Sequence, residues 1–115
     1  MPMEFGHVLR RRRMIRSYDE TRAVPPQAID AVLTAALRAP SAGFTQGISL
    51  LVLTTASDRE AFWRLTAEAE TAWLRGMRTA PVLILVWTSE DAYLDRYAEP
   101  DKGWADRDPL RWSAP

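Results

Sequence analysis

Two short aliphatic runs, Ile48 to Leu53 and Val82 to Trp87, are the segments of this chain that read as β-strands, and they limit the fold more than any other feature. Both are rich in Val, Ile and Leu; the first reads as a buried strand, and the second is the strongest strand signal in the sequence. Gly47 and Thr54-Thr55 bound the first, and Pro81 precedes the second at a position where a strand tolerates proline. Around them the spacing predicts helices. Phe5, Val8 and Leu9 start one at about Met3, running into the arginines. Val24-Pro25-Pro26 opens a second, whose Ile29, Val32, Leu33, Ala36 and Leu37 form one apolar stripe before Pro40 ends it. Ser57-Asp58-Arg59-Glu60 matches a capping box, and its helix carries Phe62, Leu65, Ala69, Ala72 and Trp73 on one side. Ser89 caps a last helix with Tyr93, Leu94 and Tyr97. Two strands make a poor sheet, so the expectation is a mixed α and β domain that needs further strands to be complete.

Composition removes several classes of chemistry. The 115 residues include no cysteine, which excludes disulfides and Cys-built zinc or iron–sulfur sites. The single histidine, His7, excludes multi-His metal centres and a Ser-His-Asp triad built on any other histidine. It reads as a surface or interface residue. Net charge is zero, which argues against binding nucleic acid through the overall field. No apolar run of membrane-spanning length and no secretory h-region is present, so the expected location is cytoplasmic. Asp101, Asp106 and Asp108 lack the glycine-punctuated spacing of a calcium loop. From Glu99 to Pro115 periodicity stops, which predicts a functional loop or a tail within a single domain spanning 1–115. Trp104 and Trp112 in that stretch argue for packing over solvation.

Two segments can carry chemistry. Arg10-Arg11-Arg12-Arg13-Met14-Ile15-Arg16-Ser17-Tyr18 offers guanidinium forks suited to a phosphate, with Arg12 and Arg16 one turn apart if the helix persists. A solvated basic helix end, a localisation signal and an RNA-binding arm are competing readings of the same residues. Met14, Ile15 and Tyr18 suggest side chains anchoring the stretch to a core. The second segment is Ala39-Pro40-Ser41-Ala42-Gly43-Phe44-Thr45-Gln46-Gly47, between a helix and a strand. Its small residues allow backbone to approach a ligand, and Ser41 and Gln46 offer hydrogen bonds to a planar heterocycle; a plain helix stop and connector is the alternative. The spacing is neither a Walker A loop nor a dinucleotide fingerprint.

In order and spacing these segments, with Val24-Pro25-Pro26 and Arg78-Thr79-Ala80-Pro81-Val82, resemble the N-terminal half of the FMN-dependent nitroreductase family. The resemblance implies an α+β fold, a three-layer α-β-α sandwich that is incomplete here, in a homodimer binding FMN between subunits. It implies an NAD(P)H oxidoreductase reducing electron-poor acceptors such as nitroaromatics or quinones, with no nucleic-acid or membrane partner. The family's phosphate-side residues fall on Arg12, Arg13 and Arg16, with Met14 where a Ser is usual, and its ring-side residues fall on Pro40, Ser41 and Gln46. The arginines and the Ser41–Gln46 bend are then expected to hold opposite ends of one flavin nucleotide. Phe44 stands where the family has Asn, and Gly47-Ile48 where it has Pro-Trp. Family members continue beyond the matching stretch into a central interface helix and further strands, so the chain is expected to be an N-terminal portion whose own activity is open. Two rival readings are a partner protein of this fold that binds no flavin and an RNA-binding module using Arg10 to Arg16.

Overall fold

The computed structural model describes residues 2–104. The helices are α1 (Phe5–Arg11), α2 (Pro26–Leu37), α3 (Ala56–Thr66), α4 (Ala72–Met77) and α5 (Glu90–Ala98), and the strands are β1 (Ile48–Leu53) and β2 (Leu83–Thr88). A one-turn 3-10 helix, Ala42–Phe44, lies between α2 and β1. The chain forms two compact units, one of Met1–Ala23 with Thr54–Pro81, the other of Val24–Leu53 with Val82–Pro115.

The second unit holds the sheet, α2 and α5. β1 and β2 pair antiparallel from Ile48↔Thr88 to Leu53↔Leu83, and the ladder is extended by Ser89 N donating to Gly47 O at 2.9 Å. Ser89 then caps α5, its hydroxyl accepting from Ala92 N, as the sequence predicts. Leu94 on α5 is fully buried. Pro26 opens α2 at a position where its missing N–H costs nothing.

β1 is where predicted and β2 begins and ends one residue later than expected, but the burial expected of β1 is not met. Leu51 is 47% exposed, Val86 64% and Trp87 60%. Because paired residues share a face, Leu51 and Trp87 lie on one side of the ladder and Val86 on the other. A two-stranded sheet has too little cover to bury both faces of strands this apolar. The isolated chain is therefore expected to self-associate. A single monomeric peak in size-exclusion chromatography together with a sharp thermal transition contradicts this.

In the first unit three expectations change. α1 ends at Arg11 and Arg12 turns extended (φ −57°, ψ 131°), so Arg12 and Arg16 are not one helical turn apart. The cap of α3 is Thr55, whose hydroxyl accepts from Asp58 N at 3.2 Å, and Ser57 lies inside the helix. The single helix expected over Phe62 to Trp73 is two. Ala67 leaves helical geometry, and Thr71 starts α4 by accepting from Leu74 N at 3.1 Å, so the local hydroxyl wins over the apolar period. Buried Trp63 and Leu74 form the centre of this unit, with Phe62 and Trp73 meeting Trp63 edge-on at ring distances of 4.9 and 6.4 Å.

Candidate functional site

The arginine segment lies in the first unit and leaves helical geometry at Arg12. Met14, 71% exposed, and Ile15 do not anchor it, contrary to the sequence expectation. Backbone contacts to α4 and the turn after it do so instead. Gly76 in α4 lets the Arg16 carbonyl sit where any side chain would begin: a Cβ on Gly76 would lie 2.1 Å from Arg16 O. Two residues on, Tyr18 N donates to Thr79 Oγ1 at 2.7 Å, and the same hydroxyl donates its proton to Gly76 O at 2.6 Å. Tyr18 closes the turn with its own hydroxyl on Ile15 O at 3.0 Å.

This anchoring leaves the guanidinium groups on the surface. Arg12, Arg13 and Arg16 are exposed, and among the described residues no carboxylate forms an ion pair with them. The acid that follows them, Asp19, is engaged locally: the Thr21 hydroxyl at 2.6 Å and the Thr21 backbone N–H at 3.0 Å hold its carboxyl below the usual range. Arg13 Nη1 also donates to Arg10 O at 3.5 Å; exposed arginines with no carboxylate partner among the described residues can accept an external oxyanion.

The second candidate segment belongs to the second unit. After Pro40, Ser41 is extended and the 3-10 turn follows, with Gly43 at φ 61°, Phe44 at φ 54° and Gln46 at φ 53°. Left-handed backbone at two non-glycine residues costs on the order of 1–3 kcal/mol each and persists only under restraint. Three hydrogen bonds restrain it. Ser41 Oγ accepts from Gln46 N at 2.9 Å, Thr45 Oγ1 donates to Ala42 O at 2.6 Å, and Arg96 Nε donates to Gly43 O at 2.7 Å. Gly43 also needs its missing side chain for space, since a Cβ would meet the Tyr97 ring at 3.1 Å. Ser41 and Gln46 of the loop line a cavity of about 300 Å³ together with Ala36, Leu37, Ala39 and Ile48. That volume is at the lower bound for small-molecule pockets, and its lining of aliphatic walls with a hydroxyl and an amide fits a flat, mostly apolar ring with polar edges.

The nitroreductase family model matches residues 9–109. The chain belongs to the nitroreductase family. A solved nitroreductase-like protein from Streptococcus mutans has a similar fold, with a TM-score of 0.59 and 23% sequence identity over 86% of this chain. The match covers 47% of that structure, so the chain spans about half its length. Among curated proteins none matches the chain. The fold is the incomplete α+β nitroreductase sandwich that the sequence led us to expect.

Within this family member, Arg12, Arg13, Met14 and Arg16 fall in one unit and Pro40, Ser41 and Gln46 in the other. Ser41 and Gln46 line the cavity; Pro40 is exposed and is not part of its lining. Phe44 is 78% exposed and is not part of the cavity lining. The sequence also led us to regard Ser41 as free to bond a heterocycle. Its oxygen already accepts from Gln46 N, which leaves the hydroxyl proton for a ligand.

Three residues that shape these segments were not singled out as site residues: Gly76, Thr79 and Arg96. Thr79 stands inside the Arg78-Thr79-Ala80-Pro81-Val82 stretch, and Gly76 is an unexplained glycine within a helix, a weak signal of close backbone approach. Arg96 gives no signal in sequence. Its Nη1 and Nη2 donate to the two Asp101 oxygens at 2.8 and 2.9 Å, and these bonds raise the arginine's pKa and lower that of Asp101. Asp101 is thus a fork partner, and among the described residues no three acidic or imidazole groups gather as a metal site. Asp106, Asp108 and Trp112 lie outside the described residues. Trp104 packs edge-on to Tyr97 at 6.4 Å, as expected of a packing residue. No described helix is long and apolar enough to cross a membrane.

Proposed function

We propose that the chain is the N-terminal portion of an FMN-dependent NAD(P)H oxidoreductase acting on small electron-poor acceptors such as nitroaromatics and quinones, and that it works as a homodimer. The observation that carries this reading is the presence, in one family member, of an exposed arginine segment with no carboxylate partner among the described residues and of a polar-edged cavity lined by Ser41 and Gln46. FMN needs both elements, because it joins a phosphate monoester to a flat ring system.

The residues present suit that cofactor. Arg12, Arg13 and Arg16 would hold the phosphate through paired N–H groups. Ser41 and Gln46 would meet the polar edge of the ring, and Leu37 and Ile48 its apolar face. When bound, FMN supplies the two-electron exchange between a nicotinamide donor and the acceptor. The protein's part would be to bind and orient, and the Gln46 amide, carried on backbone of positive φ, would offer a donor to the ring edge on which negative charge grows on reduction. No side chain is required as a general base, which agrees with a chain whose one histidine is exposed in α1.

The test is spectroscopic. Full-length chain mixed with FMN and passed through gel filtration should emerge yellow. Under anaerobic conditions NADH or NADPH should bleach the retained flavin faster than free FMN, and a quinone should restore the colour. A colourless protein that retains no FMN overturns the proposal and leaves a flavin-free partner protein of nitroreductase fold.

A further inference from the structure

We propose that Arg96 is a positioning residue for the ring-side loop, fixing from α5 the backbone turn that presents Ser41 and Gln46. The inference rests on the flavin reading above and names the residue on which that reading's loop depends.

The loop from Ser41 to Gln46 is not a conformation that its sequence prefers. Two non-glycine residues, Phe44 and Gln46, have positive φ, and Gly43 between them and Ser41 has a third. Ser41 restrains one end through Gln46 N, but both of these residues belong to the site itself. The restraint from outside is Arg96, whose Nε reaches Gly43 O at 2.7 Å across 53 positions of sequence. Its remaining donors are fixed by Asp101, through both carboxylate oxygens, and by Glu99 at 3.0 Å. The arginine side chain is 23% exposed, against 59% for both carboxylates, so the fork is held on the protein side of the network.

The geometry is specific to arginine. A guanidinium can give Nε to a carbonyl and the Nη pair to a carboxylate in one plane. A lysine ammonium on a flexible stem cannot bridge the three acceptors in that arrangement. Tyr97, one residue on, closes the same turn by filling the space beside Gly43, and Lys102 lies over the Tyr97 ring at 5.6 Å. Arg96 is not among the residues lining the cavity, so its effect on a ligand must pass through the loop.

The test compares wild-type chain, Arg96→Ala, Arg96→Lys and Asp101→Asn. Amide hydrogen exchange of the FMN-free proteins reads the loop, and FMN and riboflavin titrations with visible spectra read the site. In Arg96→Ala, Gln46 N–H should exchange about tenfold faster or more while β1 amides are unchanged, as expected for loss of a charge-assisted hydrogen bond. The same variant should bind FMN and riboflavin more weakly by a similar factor, about tenfold, with a shifted flavin band. Arg96→Lys should restore only part of both effects, and Asp101→Asn should fall between Arg96→Lys and wild type. Unchanged exchange at Gln46 in Arg96→Ala overturns the inference, as does faster exchange with unaltered flavin affinity and spectrum. A wild-type chain that binds neither flavin overturns the underlying reading and the functional role with it. A wild type that binds flavin beside an Arg96→Ala chain that binds it equally overturns the inference alone.

Discussion

Alanine at position 76 should destabilise the chain by about 3 kcal/mol, the upper part of the range for overpacking a filled site. Intrinsic helix propensity gives the opposite expectation. Gly76 lies inside α4, where alanine is better than glycine by about 1 kcal/mol. Sterics decide the sign, because the new methyl carbon would stand 2.1 Å from Arg16 O and 3.2 Å from Arg16 C. Those are backbone atoms, so no flexible tip can turn aside. Either α4 or the Arg16–Tyr18 segment must move, and the bonds among Tyr18 N, Thr79 Oγ1 and Gly76 O are lost with it. Gly6 in α1 is the control, since its Cβ would meet only the end of the Arg10 side chain at 3.3 Å. Gly6→Ala should therefore follow propensity and stabilise by up to about 1 kcal/mol. Urea unfolding midpoints of the two variants read the difference. A Gly76→Ala midpoint at or above wild type contradicts the packing of the arginine segment on α4.

How far the sequence led can be judged residue by residue. β1 was legible to the residue because Gly47 and Thr54 bound a continuous aliphatic run, whereas β2, read as Val82 to Trp87, runs one residue later at both ends, Leu83–Thr88. Ser89 was legible as a cap because it meets a local rule within three residues. What sequence could not give were competitions between equally local rules. Thr55 and Ser57 are both able to cap α3, and Thr71 interrupts a stripe that otherwise continues to Trp73. The candidate site follows the same division. Ser41, Gln46 and the arginines were readable as residue types in order, but their support was not. The Arg96 bond to Gly43 and the Gly76 contact to Arg16 join residues 53 and 60 positions apart, and no periodicity encodes them.

Removing two arginines should produce the largest effect on ligand binding. Arg12→Ala with Arg16→Ala deletes two guanidinium groups that form no ion pair among the described residues, so little folding energy is expected to change. Toward a phosphate, each charge-assisted contact is worth about 1.5–3 kcal/mol, so the pair should weaken FMN binding by at least a hundredfold. Riboflavin has the same ring and no phosphate, and its affinity should hardly move. Gln46→Ala should behave in the opposite sense, weakening both flavins by one common factor, since its proposed contact is to the ring they share. Titration of FMN and riboflavin against wild type, the arginine double variant and Gln46→Ala therefore separates the two ends of the nucleotide in a single experiment. The account predicts a wild-type preference for FMN that vanishes in the arginine variant and survives in Gln46→Ala. Equal affinity of the wild-type chain for both flavins, or a preference that outlasts loss of the arginines, contradicts it.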